Sequence, residues 1–173
     1  MGELTDAHGR FVFECVAPDG KAKWAETIEN VVCTAGKNLA FDTFLAGSNY
    51  TATGPFMGLI SSAGFSAVSA GDTMSSHAGW LEAGGANPPT YTSPRNTCAW
   101  NAASAGSKAL SSALSFVFTS AGTIQGAFLT FGPGAASTID STGGTLWSAG
   151  VFSGGAKTVG AGDTLNVSYS VSM

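Results

Sequence analysis

From Ala109 through Ile139, thirty-one residues in a row carry no charge, yet the stretch does not read as a membrane-spanning helix. Such a helix needs about 20 consecutive, mainly apolar residues. Here the apolar positions alternate with Ser, Thr, Gln and Gly, as in Leu114-Ser115-Phe116-Val117-Phe118-Thr119 and Ile124-Gln125-Gly126-Ala127-Phe128. Alternation at period two marks a strand with one buried face. A chain with this much strand and so little charge covers its surface with hydroxyls, glycine or a partner. That points toward an assembly subunit rather than an enzyme.

The same period predicts strands over residues 113–119, 123–131, 145–152 and 164–172. In the last of these, Leu165, Val167, Tyr169 and Val171 face one way. Thr164, Asn166, Ser168, Ser170 and Ser172 face the other, a surface that is polar but uncharged. Near the start, residues 11–16 and 21–32 read as a hairpin across Ala17-Pro18-Asp19-Gly20. A four-residue loop would set Val16 opposite Lys21, Glu14 opposite Lys23 and Phe13 opposite Trp24. Thr34 is placed to cap a helix over residues 35–46, with Phe41, Phe44 and Leu45 on one face and Gly47 after its end. Residues 56–60 suit a short buried strand. Residues 61–82 are ambiguous, and Gly84-Gly85, Pro88-Pro89 and Pro94 make residues 83–97 mainly loop. The expected fold is a single all-β domain over residues 1–173, an antiparallel β-sandwich or jelly roll with one short helix and a loose N-terminus at residues 1–9.

Charge is scarce and unevenly placed. Only 10% of the 173 residues are Asp, Glu, Lys or Arg, and eleven of these eighteen lie at or before Asp42. The net charge of −4 provides no basic footprint, so nucleic acid is not an expected partner, and neither is a membrane. Cys15, Cys33 and Cys98 cannot all pair with one another and match no zinc spacing, so they are expected as reduced, buried thiols. No N-terminal apolar stretch reads as a secretion signal, and the sequons at Asn49 and Asn166 are therefore taken as chance.

Candidate chemistry is thin. His8 and His77 are the only bases that titrate near neutrality, and no Gly-x-Ser-x-Gly elbow accompanies them. Val68-Ser69-Ala70-Gly71-Asp72-Thr73 echoes Val159-Gly160-Ala161-Gly162-Asp163-Thr164. The two aspartates could meet at a calcium ion, but ordinary turn chemistry is the favoured reading. Lys21 and Lys23 share a strand face and are expected to solvate an edge. Among the aromatics, Trp80, Tyr91 and Trp100 flank loops and are the candidate interface residues. No catalytic, cofactor or metal residue is assigned.

The segments KWAETIENVVCTAGKN (residues 23–38), FMGLIS (residues 56–61) and AGDTLNVSYSVSM (residues 161–173) resemble small structural proteins of tailed bacteriophages. Within that class the chain looks most like a capsid decoration, or cement, protein. The resemblance implies a non-enzymatic protein on the outer capsid surface of the virion, made in the host cytoplasm. Its implied partners are the major capsid protein and further copies of itself, as a dimer or trimer. The alternative is a tail, fibre or baseplate component that binds glycan. No residue role comes with either resemblance.

Overall fold

A computed structural model describes the backbone of residues 7–45 and 53–172. The elements are β1 (His8–Val16), β2 (Ala22–Glu29), β3 (Val31–Val32), α1 (Thr34–Leu45), β4 (Phe56–Ser61), β5 (Asn96–Thr97), β6 (Ser107–Ala109), β7 (Leu114–Val117), β8 (Gly122–Phe131), β9 (Thr145–Val151), β10 (Lys157–Val159) and β11 (Thr164–Ser172). They form two antiparallel sheets packed face to face, an all-β sandwich with one short helix. The first sheet runs β2-β1-β11-β6, with β7 also on β11. The second runs β3-β9-β8-β4-β5, with β10 also on β8.

Alternation builds the first sheet. Phe11, Phe13 and Cys15 of β1 and Leu165, Val167 and Tyr169 of β11 point into the sandwich and are buried. Arg10, Val12 and Glu14 point out, beside Ser170, Ser168 and Asn166 of the neighbouring strand. β1 and β11 pair along their whole lengths, from His8↔Ser172 to Val16↔Thr164. His8 and Gly9 therefore belong to a strand rather than to a loose terminus, and residues 1–6 lie outside the described residues.

The second sheet is covered on both sides, so β8 is buried along almost its whole length. Ala127 and Leu129 face the first sheet together with Met57 and Leu59. Phe128 faces away, into a second cluster with Ile60, Met74, Trp80, Leu146 and Ala149. The ambiguous residues 61–82 supply this outer layer through Met74 and Trp80.

The hairpin closes differently from the expected register. Ala17 N–H donates to Lys21 O at 2.8 Å and Gly20 N–H to Ala17 O at 2.9 Å, which leaves a three-residue loop, Pro18-Asp19-Gly20. Gly20 takes φ +83°, the left-handed position such loops require. The register then steps again between Cys15↔Trp24 and Val16↔Ala22, so Lys23 is an extra residue. Phe13 faces Glu26 and Glu14 faces Ala25 as a result. Phe13 and Trp24 still share the inner face, both packing on Phe152 at ring separations of 4.7 and 5.6 Å.

The helix lies close to where the pattern placed it, with two corrections. Lys37 N–H donates to Cys33 O at 3.1 Å, so Cys33 occupies the capping position and Thr34 begins the helix. Phe41 is 64% exposed rather than turned toward the protein. The side chains of Phe44 and Leu45, Gly47 and the Asn49 sequon lie outside the described residues. Gly36 is where helix and sheet come closest, since a Cβ there would sit 2.8 Å from the Trp147 backbone.

Candidate functional site: an aromatic groove at one end of the sandwich

The two sheets part at one end of the sandwich and leave a groove of about 520 Å³. Leu129, Phe131 and Trp147 of the second sheet form one wall, and Val171 and Lys108 of the first form another. Trp100, from the connection between β5 and β6, lines it as well. The walls are almost wholly carbon, and Lys108 is the only charged residue among the described lining residues.

A strand irregularity builds the aromatic wall. The β8–β9 register steps from Leu129↔Ser148 to Thr130↔Leu146, so Trp147 has no partner on β8. Trp147 Nε1 donates to the Tyr169 hydroxyl at 3.1 Å, and Asn30 Nδ2 donates to the same oxygen at 3.0 Å. Burial pushes the Tyr169 phenol above its ordinary range, while the Ser148, Trp147 and Asn30 contacts pull the other way. At neutral pH it is an uncharged acceptor. Phe131 lies 5.8 Å from Trp147, and the Trp100 ring meets Tyr169 edge-on at 6.0 Å. The groove's aromatic rings are therefore held by hydrogen bonds and ring contacts beneath them.

Of the three expected interface aromatics, Trp100 alone reaches this groove. Trp80 is 1% exposed; its Nε1 donates to Asp72 Oδ2 at 3.0 Å, and its ring stacks on His77 at 3.9 Å. The second core takes it because the outer face of the second sheet needs a cover. Tyr91 is also buried, set edge-on to Phe116 at 5.2 Å. A loop position in sequence did not make either residue a surface residue. Trp147 and Phe131 reach the groove unanticipated, because no local sequence signal marks a strand irregularity.

The scarce charges outside the groove tie loops together. Arg95 and Glu82, 2% and 4% exposed, form a two-pronged ion pair, Nε to Oε1 at 2.8 Å and Nη2 to Oε2 at 2.6 Å. Arg95 also donates to the carbonyls of Ala136 and Ser141, and Asp140 N–H donates to Glu82. Burial lifts the Glu82 carboxyl above its ordinary value, against the pull of Arg95 and the Asp140 N–H. The sequence singled out neither residue.

The two echoed turns prove to be the same local structure. Asp72 Oδ2 accepts Ser69 N–H at 2.9 Å, and Asp163 Oδ2 accepts Gly160 N–H at 2.6 Å. Each aspartate then takes a second, different donor, Trp80 for Asp72 and Lys23 for Asp163. Lys23 is thus an ion-pair partner rather than a solvating edge residue. Among the described residues, no group of three His, Cys, Asp or Glu side chains is placed to hold a metal ion. His77 Nδ1 lies 2.9 Å from Trp80 O, which makes it the protonated ring nitrogen. Cys15, Cys33 and Cys98 are free and buried. No described helix is long and apolar enough to cross a membrane.

No protein-family model, curated protein or solved structure matches this chain.

Proposed function

We propose that this protein is a non-enzymatic capsid decoration protein of a tailed phage, which binds the outer surface of the head and stabilises it. The observation that carries the reading is the groove, a preformed apolar recess whose aromatic walls are fixed from beneath. Interfaces concentrate their binding energy in such places, where a few anchors enter desolvated pockets. A second feature agrees with it. The outward face of β11 itself presents Asn166, Ser168 and Ser170, short uncharged side chains that are cheap to desolvate on contact, while Arg10, Glu14 and Glu29 carry the charge of the adjoining strands. Many weak contacts repeated over a shell add up through avidity. The half-buried Trp100 in the groove also suits a sugar ring, which favours a glycan-binding tail or fibre component as the second reading.

Quantitative mass spectrometry of purified particles separates the two. A copy number comparable with that of the major capsid protein is expected for decoration. A much smaller number would favour the tail or fibre reading, and absence from particles would overturn both.

A further inference from the structure

We propose that the outward face of the first sheet is a two-fold dimer interface, and that its partner is a second copy of this chain. The face carries a charge pattern that complements itself. Along β1, Arg10, Val12 and Glu14 point outward and are exposed, so opposite charges stand two residues to either side of a valine. Val12 is 37% exposed, a large apolar side chain left in the open. Among the described residues neither Arg10 nor Glu14 has an ion-pair partner, although Glu29 lies across from Arg10 on β2. The side chains around them are short and uncharged, Ala25 and Thr27 on β2 and Ser168 and Ser170 on β11. Such a surface lets a second sheet approach to about 10 Å, the usual spacing of packed sheets.

Between two aligned, facing sheets a two-fold axis can run along the strands or across them, and the charges choose between the two. An axis across the strands at Val12 reverses their direction. Val12 then meets Val12, and Arg10 of each copy lies over Glu14 of the other. An axis along the strands would put Arg10 over Arg10 and Glu14 over Glu14. Aligned sheets cross at about 30°, and two residues advance a strand by about 6.6 Å, so each Arg10–Glu14 pair is offset sideways by roughly 3 to 4 Å. An arginine side chain spans that offset. Four strands about 4.8 Å apart, with nine residues rising about 3.3 Å each, give a face of roughly 20 by 30 Å. That is of the order of the roughly 800 Å² per partner in a standard interface. Burial of Val12 and of the carbon around it drives the association. The two ion pairs fix direction and register more than affinity, because their desolvation offsets much of their attraction. Such a contact uses the same patch on both subunits and closes at two copies. It depends neither on the groove nor on the head-binding reading.

Analytical ultracentrifugation of the full chain over a concentration series tests this, and the parent is expected to pass from monomer to dimer. Arg10→Glu and Glu14→Arg each create two like-charge contacts across the axis. Each should weaken dimerisation by about a hundredfold or more, and less at high salt. The double variant, Arg10→Glu with Glu14→Arg, carries the same pattern reversed and should dimerise like the parent. An equimolar mixture of the two single variants should also dimerise, because each complements the other. Val12→Lys sets two ammonium groups on the axis and should remain monomeric. It replaces either charge variant that a thermal melt shows to be unfolded. A parent that stays monomeric throughout the series overturns the proposal. A parent dimer that persists in all of the single variants places the interface elsewhere and overturns it as well. If the single variants are monomeric and neither the double variant nor the mixture recovers the dimer, the antiparallel Arg10–Glu14 pairing is wrong.

Discussion

Removing Arg95 should be among the most damaging single changes in this protein. Its guanidinium is buried against an equally buried Glu82, and it also holds the carbonyls of Ala136 and Ser141. Arg95→Met keeps most of the volume but leaves the carboxylate without its counter-ion. Breaking a buried pair from one side costs about 3–5 kcal/mol. For a domain of this size each kcal/mol moves Tm by about 2–4 °C, so a fall of roughly 6–20 °C is expected. Replacing both partners, as Glu82→Leu with Arg95→Met, removes the stranded charge and should cost less than the two single changes added together. It will not restore the parent stability, because the Asp140 N–H and the two carbonyls lose their partners, each worth about 1–3 kcal/mol when buried. pH supplies an independent check. A carboxyl whose folded value is raised binds its proton more tightly in the folded state than in the unfolded one. The penalty is therefore present above the folded value and fades as pH falls through it. Without Arg95 burial acts unopposed, so the deficit of Arg95→Met should be smaller in mildly acidic than in neutral solution. Urea denaturation of the parent, both singles and the double at the two pH values measures all of this. An Arg95→Met cost below about 1 kcal/mol, or singles that simply add, would refute the argument.

Three further outcomes are expected. Gly126→Ala would drive a Cβ into the Gly150 carbonyl of the neighbouring strand, so a thermal melt should show a loss at or above the usual 1–3 kcal/mol or so of overpacking. Asp163 is pushed up by burial but held below its ordinary 3.8 by Lys23 and Gly160 N–H, so its contribution is present above that value and lost as pH falls below it. Asp163→Asn should accordingly flatten the acid limb of the stability profile, and an unchanged acid midpoint would contradict the assignment. Burial pushes the thiols of Cys15 and Cys33 up to about 11 and that of Cys98 to about 12, so none should react with a thiol reagent at mildly alkaline pH until denaturant exposes all three.

The chain itself determined the strands and the broad architecture. Period-two alternation is a local property, and Leu165, Val167 and Tyr169 had to share a buried face whatever they paired with. The helix was equally legible, since its start and length depend on neighbouring residues. What lay beyond the sequence depends on contacts between distant residues. The pairing of β1 with β11 joins the two ends of the chain, and no local pattern encodes it. The extra residue at Lys23 moved that lysine from Glu14 to Asp163. The one at Trp147 directed an indole into the groove. Trp80 and Tyr91 read as loop aromatics because their flanks are rich in Gly and Pro, yet a covered outer face and a sheet interior claimed them. Arg95 and Glu82 lie thirteen residues apart in a stretch with no periodicity. Only the packing of three loops made them a buried pair. Local chemistry thus decided which residues could be strands, and tertiary closure decided which side chains were left for a partner. A groove consists of surfaces from both sheets and exists only once they have met.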